Sequence, residues 1–365
     1  MRTTGALLLA LTMVLAGCGA DGDAADDPPI DSDAGTEEVT EDTDAADAAD
    51  DCDEQTIQLS FITAEDSTWG RAGARFGELL EEGTDGRLSV ELFAGSQLAG
   101  GNQQAEVEQT QQGVIDAQWV SPIILALFVD PRFDIYSLPF LFPSTEVADT
   151  VIDGDVGQMT EEWVREGGLE PLGWGVNGFR QVTNSGQPIT EPADMEGLQF
   201  RVAGTDLFIE TFTLMGADPV TMDFGEVFTS LQQGVIDGQE NPIDVIASSS
   251  LYEVQDHITL WDYAYDPLVL AMNADTFSSF CASDQELLSE AASEAGRYQR
   301  EIAAEEQDEL VAMLAEEGME VVTSDEIDVD AFRELVEEPV WGAWEEVIGS
   351  AELDMMIQAV EDARG

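Results

Sequence analysis

The sequence predicts an α/β fold made of two similar lobes, and three observations lead to that prediction. The chain has 365 residues with 44% hydrophobic content, which is enough for two domains rather than one. The apolar body opens with a strand, helix, strand pattern, which is typical of a mainly parallel sheet. A near-repeat then follows, with QQGVIDAQWVSP at residues 111–122 and QQGVIDGQENP at residues 232–242.

The first residues have the order of a bacterial export signal. Arg2 precedes an apolar run over residues 7–15, which is too short to cross a bilayer. The run ends in Leu-Ala-Gly-Cys, which resembles a lipobox, so we expect removal of residues 1–17 and lipid on the thiol of Cys18. An ordinary secretory signal with an incidental cysteine is the alternative. Both interpretations place the mature protein outside the cytoplasm.

Residues 18–54 differ in composition from the rest of the chain. They are mostly Asp, Glu, Ala, Gly, Thr and Pro with almost no apolar bulk, so burial cannot offset the entropy of ordering them. We expect a disordered tether that is extended by repulsion between its like charges. Such a tether would let the folded body extend away from a membrane surface.

The formal net charge is −65, and the sequence contains no lysine. Nucleic acid and anionic bilayer surfaces are excluded as direct partners, because both require a basic patch that this sequence lacks. The acidity could attract cations or a basic partner, but a surface suited to high salt, which screens self-repulsion, is the favoured cause. Without lysine the chain also cannot form a P-loop or a pyridoxal Schiff base.

The elements of the body follow from the spacing of its apolar residues. Alternation predicts a strand over residues 56–61, helical spacing predicts a helix over residues 69–79, and alternation predicts a second strand over residues 88–92. The run at residues 121–143 is apolar but contains three charged residues, so it is not a transmembrane span.

Later elements complete the two lobes. We expect a helix over residues 144–166, a strand that ends at Trp174 and a strand over residues 267–273. Residues 286–314 have the Ala, Glu and Leu content of one long helix, and residues 332–363 add more helix. A long helix that runs across both lobes would support a hinge.

Both copies of the near-repeat have the same local pattern. A helix ends at a glycine suited to a left-handed C-cap, Gly113 or Gly234, and an apolar strand and a polar loop follow. Ligands of open α/β sheets bind beyond the carboxyl ends of strands, so both loops are expected to face one cleft. The alternative is coincidence, because helix-glycine-strand junctions recur in α/β proteins.

Arg201 lies within a short apolar segment, residues 199–202, that predicts a buried strand. An unpaired guanidinium is costly there. Arg201 therefore needs a carboxylate partner, either from the protein or from a ligand.

Motifs for catalysis are weak. GWGVNG at residues 173–178 matches a dinucleotide-binding fingerprint, but it continues into a strand-like sequence instead of a helix. The sequence contains no G-x-S-x-G pattern, so there is no nucleophile-elbow serine for which His257 could act as the base. His257 is therefore expected to be structural. We therefore predict no cofactor, no metal and no enzymatic activity, although a carboxylate pair for glycoside hydrolysis stays open.

Two cysteines remain besides Cys18. Cys52 and Cys281 are too few, with one histidine, for a recognisable zinc cluster. Outside the cytoplasm two such cysteines usually pair, so we predict a Cys52–Cys281 disulfide.

Several central motifs resemble one family closely. They are GFR at residues 178–180, the strand with Arg201, GADP at residues 216–219, FGEVF at residues 224–228 and DGQENP at residues 237–242. In order and spacing they are similar to the solute receptors of tripartite ATP-independent periplasmic (TRAP) transporters, from about Thr56 to the final helices. The resemblance implies a two-lobed, periplasmic-binding-protein-like fold with a ligand cleft between the lobes and a long helix that spans them.

The resemblance also assigns roles to individual residues. Arg201 occupies the position of the arginine that forms a two-pronged ion pair with the solute's carboxylate. Arg180 matches a second arginine that assists, Asn241 an amide that donates to the same carboxylate, and Phe224 an aromatic residue that packs on the solute. A structural salt bridge is the alternative for Arg180, and a place in the core is the alternative for Phe224.

The first lobe departs from some relatives, because Trp-Val-Ser-Pro at residues 119–122 replaces a charged residue there. This departure disfavours a highly polar sugar acid. An apolar or cationic group of the solute could instead be lined by aromatic residues, namely Trp69, Trp119, Trp174 and Tyr265. Glu65 and Asp66, after the first strand, are candidates to contact a positive group.

The resulting organisation places lobe I at residues 55–178, lobe II at 179–262, a return to lobe I at 263–305 and bridging helices at 306–365. The expected function is an extracytoplasmic receptor that binds a small organic acid and delivers it to membrane subunits. An ABC-type binding protein is the alternative within this class. A secreted hydrolase with two catalytic carboxylates is the alternative from another class.

Overall fold

The computed structural model describes residues 52–365. The expected signal peptide, the lipidation site Cys18 and nearly all of the expected tether lie outside the described residues. Within residues 52–365, none of the helices combines the length and the apolar character that crossing a membrane requires.

The described chain alternates strands and helices. The strands are β1 Gln55–Ser60, β2 Leu88–Phe93, β3 Ala117–Val120, β4 Leu169–Asn184, β5 Gln199–Val202, β6 Asp218–Thr221, β7 Gly238–Pro242, β8 His257–Asn273 and β9 Glu320–Val322. The helices are α1 Thr68–Gly83, α2 Gln103–Gln111, α3 Pro122–Phe128, α4 Thr145–Ile152, α5 Asp155–Glu166, α6 Asp206–Leu214, α7 Phe224–Gln232, α8 Ile243–Ser248, α9 Ala274–Ser279, α10 Ala282–Glu316, α11 Val329–Ile348 and α12 Ser350–Arg364.

The strands form one 9-stranded sheet in the order β2-β1-β3-β8-β4-β7-β5-β6, with β9 added beside β8. The predicted strand, helix, strand opening is confirmed, because β1 and β2 pair in parallel. The sheet as a whole is mixed, however, because β8 runs antiparallel to both β3 and β4, and β7 runs antiparallel to β4.

Two long strands connect the two halves of the sheet. β4 and β8 have 16 and 17 residues and pair from Leu169↔Asn273 to Asn184↔His257, with three register shifts on the way. One end of this ribbon carries the β1–β3 half and the other carries the β5–β7 half. Residues 173–178, the dinucleotide-like run, lie inside β4 rather than at a turn that opens a helix.

Each half contains one copy of the near-repeat. Gly113 follows α2 with a φ of 69°, and Gly234 follows α7 with a φ of 66°, so both are left-handed as the sequence predicts. Each glycine leads into a buried strand, β3 in one half and β7 in the other. The repeat is therefore a structural correspondence between the two halves.

Some expected elements differ in detail. The helix expected over residues 144–166 is interrupted at Asp153 and Gly154, where Gly154 adopts an extended conformation directly before α5. β4 and β8 both extend well beyond the expected strands, and their pairing continues across three register shifts. The short strand β9 lies between the two segments that were expected to be helical, residues 286–314 and 332–363.

The long helix is confirmed as α10, with 35 residues. It packs against α1, α8 and β4, so it contacts elements from both halves of the sheet. Contact with β4 is close, because a Cβ atom at Gly296 would lie 2.2 Å from the carbonyl oxygen of Trp174. The side chain of Gln299 adds hydrogen bonds to the backbone N–H and C=O of Val176, at 2.7 and 2.6 Å.

A disulfide joins the start of the body to α10. The sulfur atoms of Cys52 and Cys281 are bonded, and their Cα atoms are 5.8 Å apart. Cys281 is the residue that precedes the first turn of α10.

We expect the double substitution Cys52→Ser and Cys281→Ser to lower the free energy of unfolding by about 2–4 kcal/mol, because the bridge closes a long loop in the unfolded chain. Denaturant unfolding of the oxidised wild type and of this variant measures the difference. Equal midpoints and slopes would show that the bridge contributes nothing to stability.

Candidate functional site

A partly open cavity lies where the two halves of the sheet meet. The strand ends of the β5–β7 half form one wall, and the first turns of α1 and α3 form the opposite wall. The lining residues are Ile62, Trp69, Gln103, Ser121, Ile123, Ile124, Asn177, Arg180, Arg201, Ala203, Phe224, Asn241, Val245 and Asp266.

Arg201 is buried in this wall, with 4% of its surface exposed. Its Nε and Nη2 atoms donate to the carbonyl oxygen of Met222, at 3.2 and 3.0 Å. Its guanidinium carbon lies 5.6 Å from the centre of the Phe224 ring. Within residues 52–365, no carboxylate lies within 4.0 Å of the guanidinium, so its charge is not neutralised by direct contact.

Burial lowers the pKa of Arg201 to about 10, although Glu240 at a distance acts in the opposite direction. The group therefore stays protonated near neutral pH. A buried guanidinium without a contacting anion is costly, and an approaching carboxylate would relieve that cost.

Arg180 has very different surroundings, although it lines the same cavity. Its Nε and Nη2 atoms donate to the carboxylate of Glu240 at 2.5 and 2.9 Å, and Nη1 donates to Asp266 at 2.8 Å. Burial opposes its charge, but attraction to Glu240 and Asp266 raises the pKa of Arg180 overall. The side chain is thus the centre of a buried ion-pair cluster.

Strand pairing places these groups side by side. β7 lies between β4 and β5, so Arg180 pairs opposite Pro242 and Arg201 pairs opposite Gln239. The amide of Asn241 accepts from Arg180 Nη2 at 3.1 Å and donates to Gln239 at 2.5 Å. The QENP segment, which was expected to form a polar loop, is part of β7; it supplies the Glu240 and Asn241 partners of Arg180 and also borders the cavity beside Arg201.

The opposite wall is mostly apolar. Trp69 lies in the first turn of α1 and is buried, with 2% of its surface exposed. Ile123 lies in the first turn of α3, whose N-cap Ser121 donates from its hydroxyl to Asp266 at 2.5 Å. Asn177, on β4, donates to the other oxygen of Asp266 at 2.7 Å.

Hydrogen bonds connect the two walls at their rims. The Asn102 amide, at the start of α2, donates to Asp223 at 2.7 Å, just before α7. The Thr68 hydroxyl donates to Asp244 of α8 at 3.1 Å. In this conformation the two halves are therefore closed around the cavity.

The structure brings five of the predicted site residues together around the cavity, namely Trp69, Arg180, Arg201, Phe224 and Asn241. Glu65 and Asp66 are exposed on the loop before α1 and do not line it.

Three predicted aromatic residues lie elsewhere. Trp119 packs its ring against Gly175 of β4, in the core of the first half. Trp174 donates to Glu161 at 3.2 Å, and the hydroxyl of Tyr265 donates to Asp149 at 3.1 Å. The alternation of side chains along their strands directs these three residues to faces away from the cavity.

Sequence reasoning missed several lining residues. Asp266, Asn177 and Ser121 form a hydrogen-bonded group there, and Gln103 is at the start of α2. The available signals were the place of Ser121 near the end of the first repeat copy and the place of Asn177 directly before the GFR motif. No pattern marks Asp266 among 77 acidic residues.

A family model described as "Bacterial extracellular solute-binding protein, family 7" matches residues 59–346. The 2,3-diketo-L-gulonate-binding periplasmic protein YiaO of Escherichia coli is 36% identical over 278 residues, which cover 76% of this chain and 83% of that protein.

Solved structures have the same fold. A TRAP periplasmic solute-binding protein of Ralstonia eutropha, with bound (S)-2-acetolactate, is 32% identical with a TM-score of 0.79, covering 84% of this chain and 99% of that one. The sugar acid binding protein DctPAm of Advenella mimigardefordensis, in complex with galactonate, is 29% identical with a TM-score of 0.81, covering 86% and 100%. The chain belongs to family 7 of the bacterial extracellular solute-binding proteins.

Proposed function

We propose that the chain is the extracytoplasmic receptor of a TRAP transporter, that it binds a small carboxylate at Arg201, and that it delivers this solute to membrane subunits. The observation that carries the proposal is the state of Arg201. Its guanidinium is buried, charged near neutral pH, open to an interlobe cavity and free of any contacting carboxylate within residues 52–365.

The relatives support the same chemistry. Acetolactate and galactonate, bound in the two solved structures, both carry a carboxylate. Asn241 and Phe224 border Arg201 in the cavity and are proposed to orient and cover the solute's carboxylate end. Arg180 is proposed to act by holding the buried carboxylates of Glu240 and Asp266 in place beside the cavity. Lipid on Cys18 is proposed to keep the receptor at the membrane.

The function is tested by identifying what the protein retains. The protein is purified together with the solute that it retains and is then denatured. The small molecules that it releases are identified by mass spectrometry. We expect one small carboxylate at about one molecule per chain. Release of a neutral or cationic compound would contradict the proposal. If NMR shows that the folded protein converts the solute into another compound, that result would favour the hydrolase alternative.

Closure of the lobes is expected to depend on solute. Trp69 and Arg201 lie on opposite walls, so a solute contacts both only in the closed form, and binding must favour that form. Small-angle scattering should give a smaller radius of gyration with saturating solute than without it.

The Arg201→Lys variant is the control, because it should not become more compact at the same solute concentration. Equal radii for the wild type with and without solute, on samples with confirmed binding, would exclude closure as the signal to the membrane subunits.

A further inference from the structure

One polar contact joins the two halves of the sheet at an exposed rim of the cavity. Nδ2 of Asn102, in the β1–β3 half, donates to Oδ2 of Asp223, in the β5–β7 half, at 2.7 Å. The backbones also meet there, because a Cβ atom at Gly225 would lie 3.5 Å from the carbonyl oxygen of Gly101. We call the hydrogen bond between Asn102 and Asp223 the rim contact. Since its partners belong to different halves, opening of the cleft would break it.

Each partner of the rim contact directly precedes a residue that lines the cavity. Gln103 follows the donor, and Phe224 follows the acceptor. On the other side of the acceptor, Met222 supplies the carbonyl oxygen to which Arg201 donates two hydrogen bonds. The rim contact therefore fixes the backbone that carries lining side chains in both halves.

The donor of the rim contact is oriented by its own half. Asn102 is the N-cap of α2, and its Oδ1 atom accepts from the backbone N–H of Ala105 at 2.7 Å. The amide oxygen is thus used within α2, which leaves the amide nitrogen for the other half. Asp223 precedes α7 and makes no such side-chain cap, so its carboxylate is available to accept.

A contact that belongs to the closed form stabilises that form relative to the open one. Hydrogen bonds to a charged group are stronger than those between neutral groups. The solute enters while the cleft is open, before the rim contact forms, whereas its escape requires the contact to break. The contact should therefore affect release of the solute far more than its entry.

We propose that the rim contact is a latch: Asn102 and Asp223 hold the cavity closed over the bound solute and slow its release. This inference rests on the proposed function and adds the residues that set how long the solute is retained. Neither residue is part of the cavity lining, so both act as positioning residues for Gln103 and Phe224.

An exchange of the two side chains tests the latch. Asn102→Asp keeps an acceptor for the N–H of Ala105, because Asp is as good an N-cap as Asn, but it places two carboxylates against each other across the rim. Adding Asp223→Asn in the same chain restores one amide donor and one carboxylate acceptor in exchanged positions. The full-length protein is titrated with acetolactate, erythronate, galactonate and succinate. Stopped-flow fluorescence then gives the rates for each acid that the wild type binds.

Asn102→Asp should raise the dissociation rate about tenfold or more and leave the association rate within about threefold of the wild type. The exchanged double variant should release the acid within about threefold of the wild-type rate, because it can form the rim contact again. A merely structural defect at position 102 would not be rescued by a change in the other half.

Charge must be separated from contact, because Asp223 is close enough to Arg201 to favour its charged form. The matched control combines Asn102→Asp with Glu226→Gln. Glu226 is exposed in the first turn of α7, three residues after Asp223. This control has the same net charge as the exchanged variant but leaves two carboxylates across the rim. It should release the acid as fast as Asn102→Asp alone.

The outcomes separate the latch from the proposed function. Wild-type release from Asn102→Asp, an exchanged variant that stays as fast as Asn102→Asp, or equal rescue by Glu226→Gln would each overturn the latch and leave a carboxylate receptor. Failure of the wild type to bind any of the four acids would count against the proposed function, and the latch would be rejected with it.

Discussion

Arg201→Lys is expected to weaken solute binding by at least about 2 kcal/mol, which is about 30-fold in Kd. Lysine keeps the positive charge but loses the planar fork that contacts both oxygens of a carboxylate. The ammonium would also have to replace two hydrogen bonds that Arg201 donates to Met222. Calorimetric titration of the folded variant, with its circular dichroism spectrum compared to that of the wild type, measures the loss.

Arg297→Lys is a suitable control for this experiment. Arg297 lies on the outer surface of α10, where its side chain is 70% exposed and contacts Glu294. Its replacement should leave Kd unchanged. Wild-type affinity in the Arg201→Lys variant would remove the assigned role of Arg201.

Arg180→Met is expected to have the largest effect on stability, lowering the free energy of unfolding by about 3–5 kcal/mol. The substitution leaves the fully buried carboxylates of Glu240 and Asp266 without their cation. Burial already raises the pKa of Asp266, and Arg180 is the group that opposes this shift most strongly. The loss should therefore be measured by denaturant unfolding of solute-free protein at neutral pH.

The control for this prediction is Arg297→Met, which breaks an exposed ion pair and should cost at most about 1 kcal/mol. If Arg180→Met is as stable as this control yet binds solute poorly, then Arg180 acts mainly on the solute. Such a result would contradict the structural role that its ion pairs indicate.

Local sequence patterns predict much of this fold because they report on local conformation. Left-handed glycines after α2 and α7 explain why the near-repeat identifies equivalent positions in the two halves. The need of Arg201 for a partner is also predictable from the sequence, because a charged residue between the apolar residues of a buried strand needs a carboxylate. The long helix α10 follows from composition over many residues.

The remaining features depend on contacts between distant segments. Trp119, Trp174 and Tyr265 are aromatic and buried, but only the register of β3, β4 and β8 determines that they face away from the cavity. Asp266 becomes identifiable only when β8 places it beside Arg180 and Asn177. Sequence spacing contains neither fact, because 86 positions separate Asp266 from Arg180.

The most direct test of the central claim compares a small carboxylic acid that the wild type binds with the primary amide of that acid, in the wild type and in Arg201→Lys. If Arg201 binds the solute's carboxylate, the amide should bind the wild type at least about 30-fold more weakly than the acid does. The variant should discriminate much less, because both changes remove the same interaction and their effects cannot add. An amide that binds the wild type as tightly as the acid, or two losses that add in full, would contradict the claim that Arg201 is the carboxylate site.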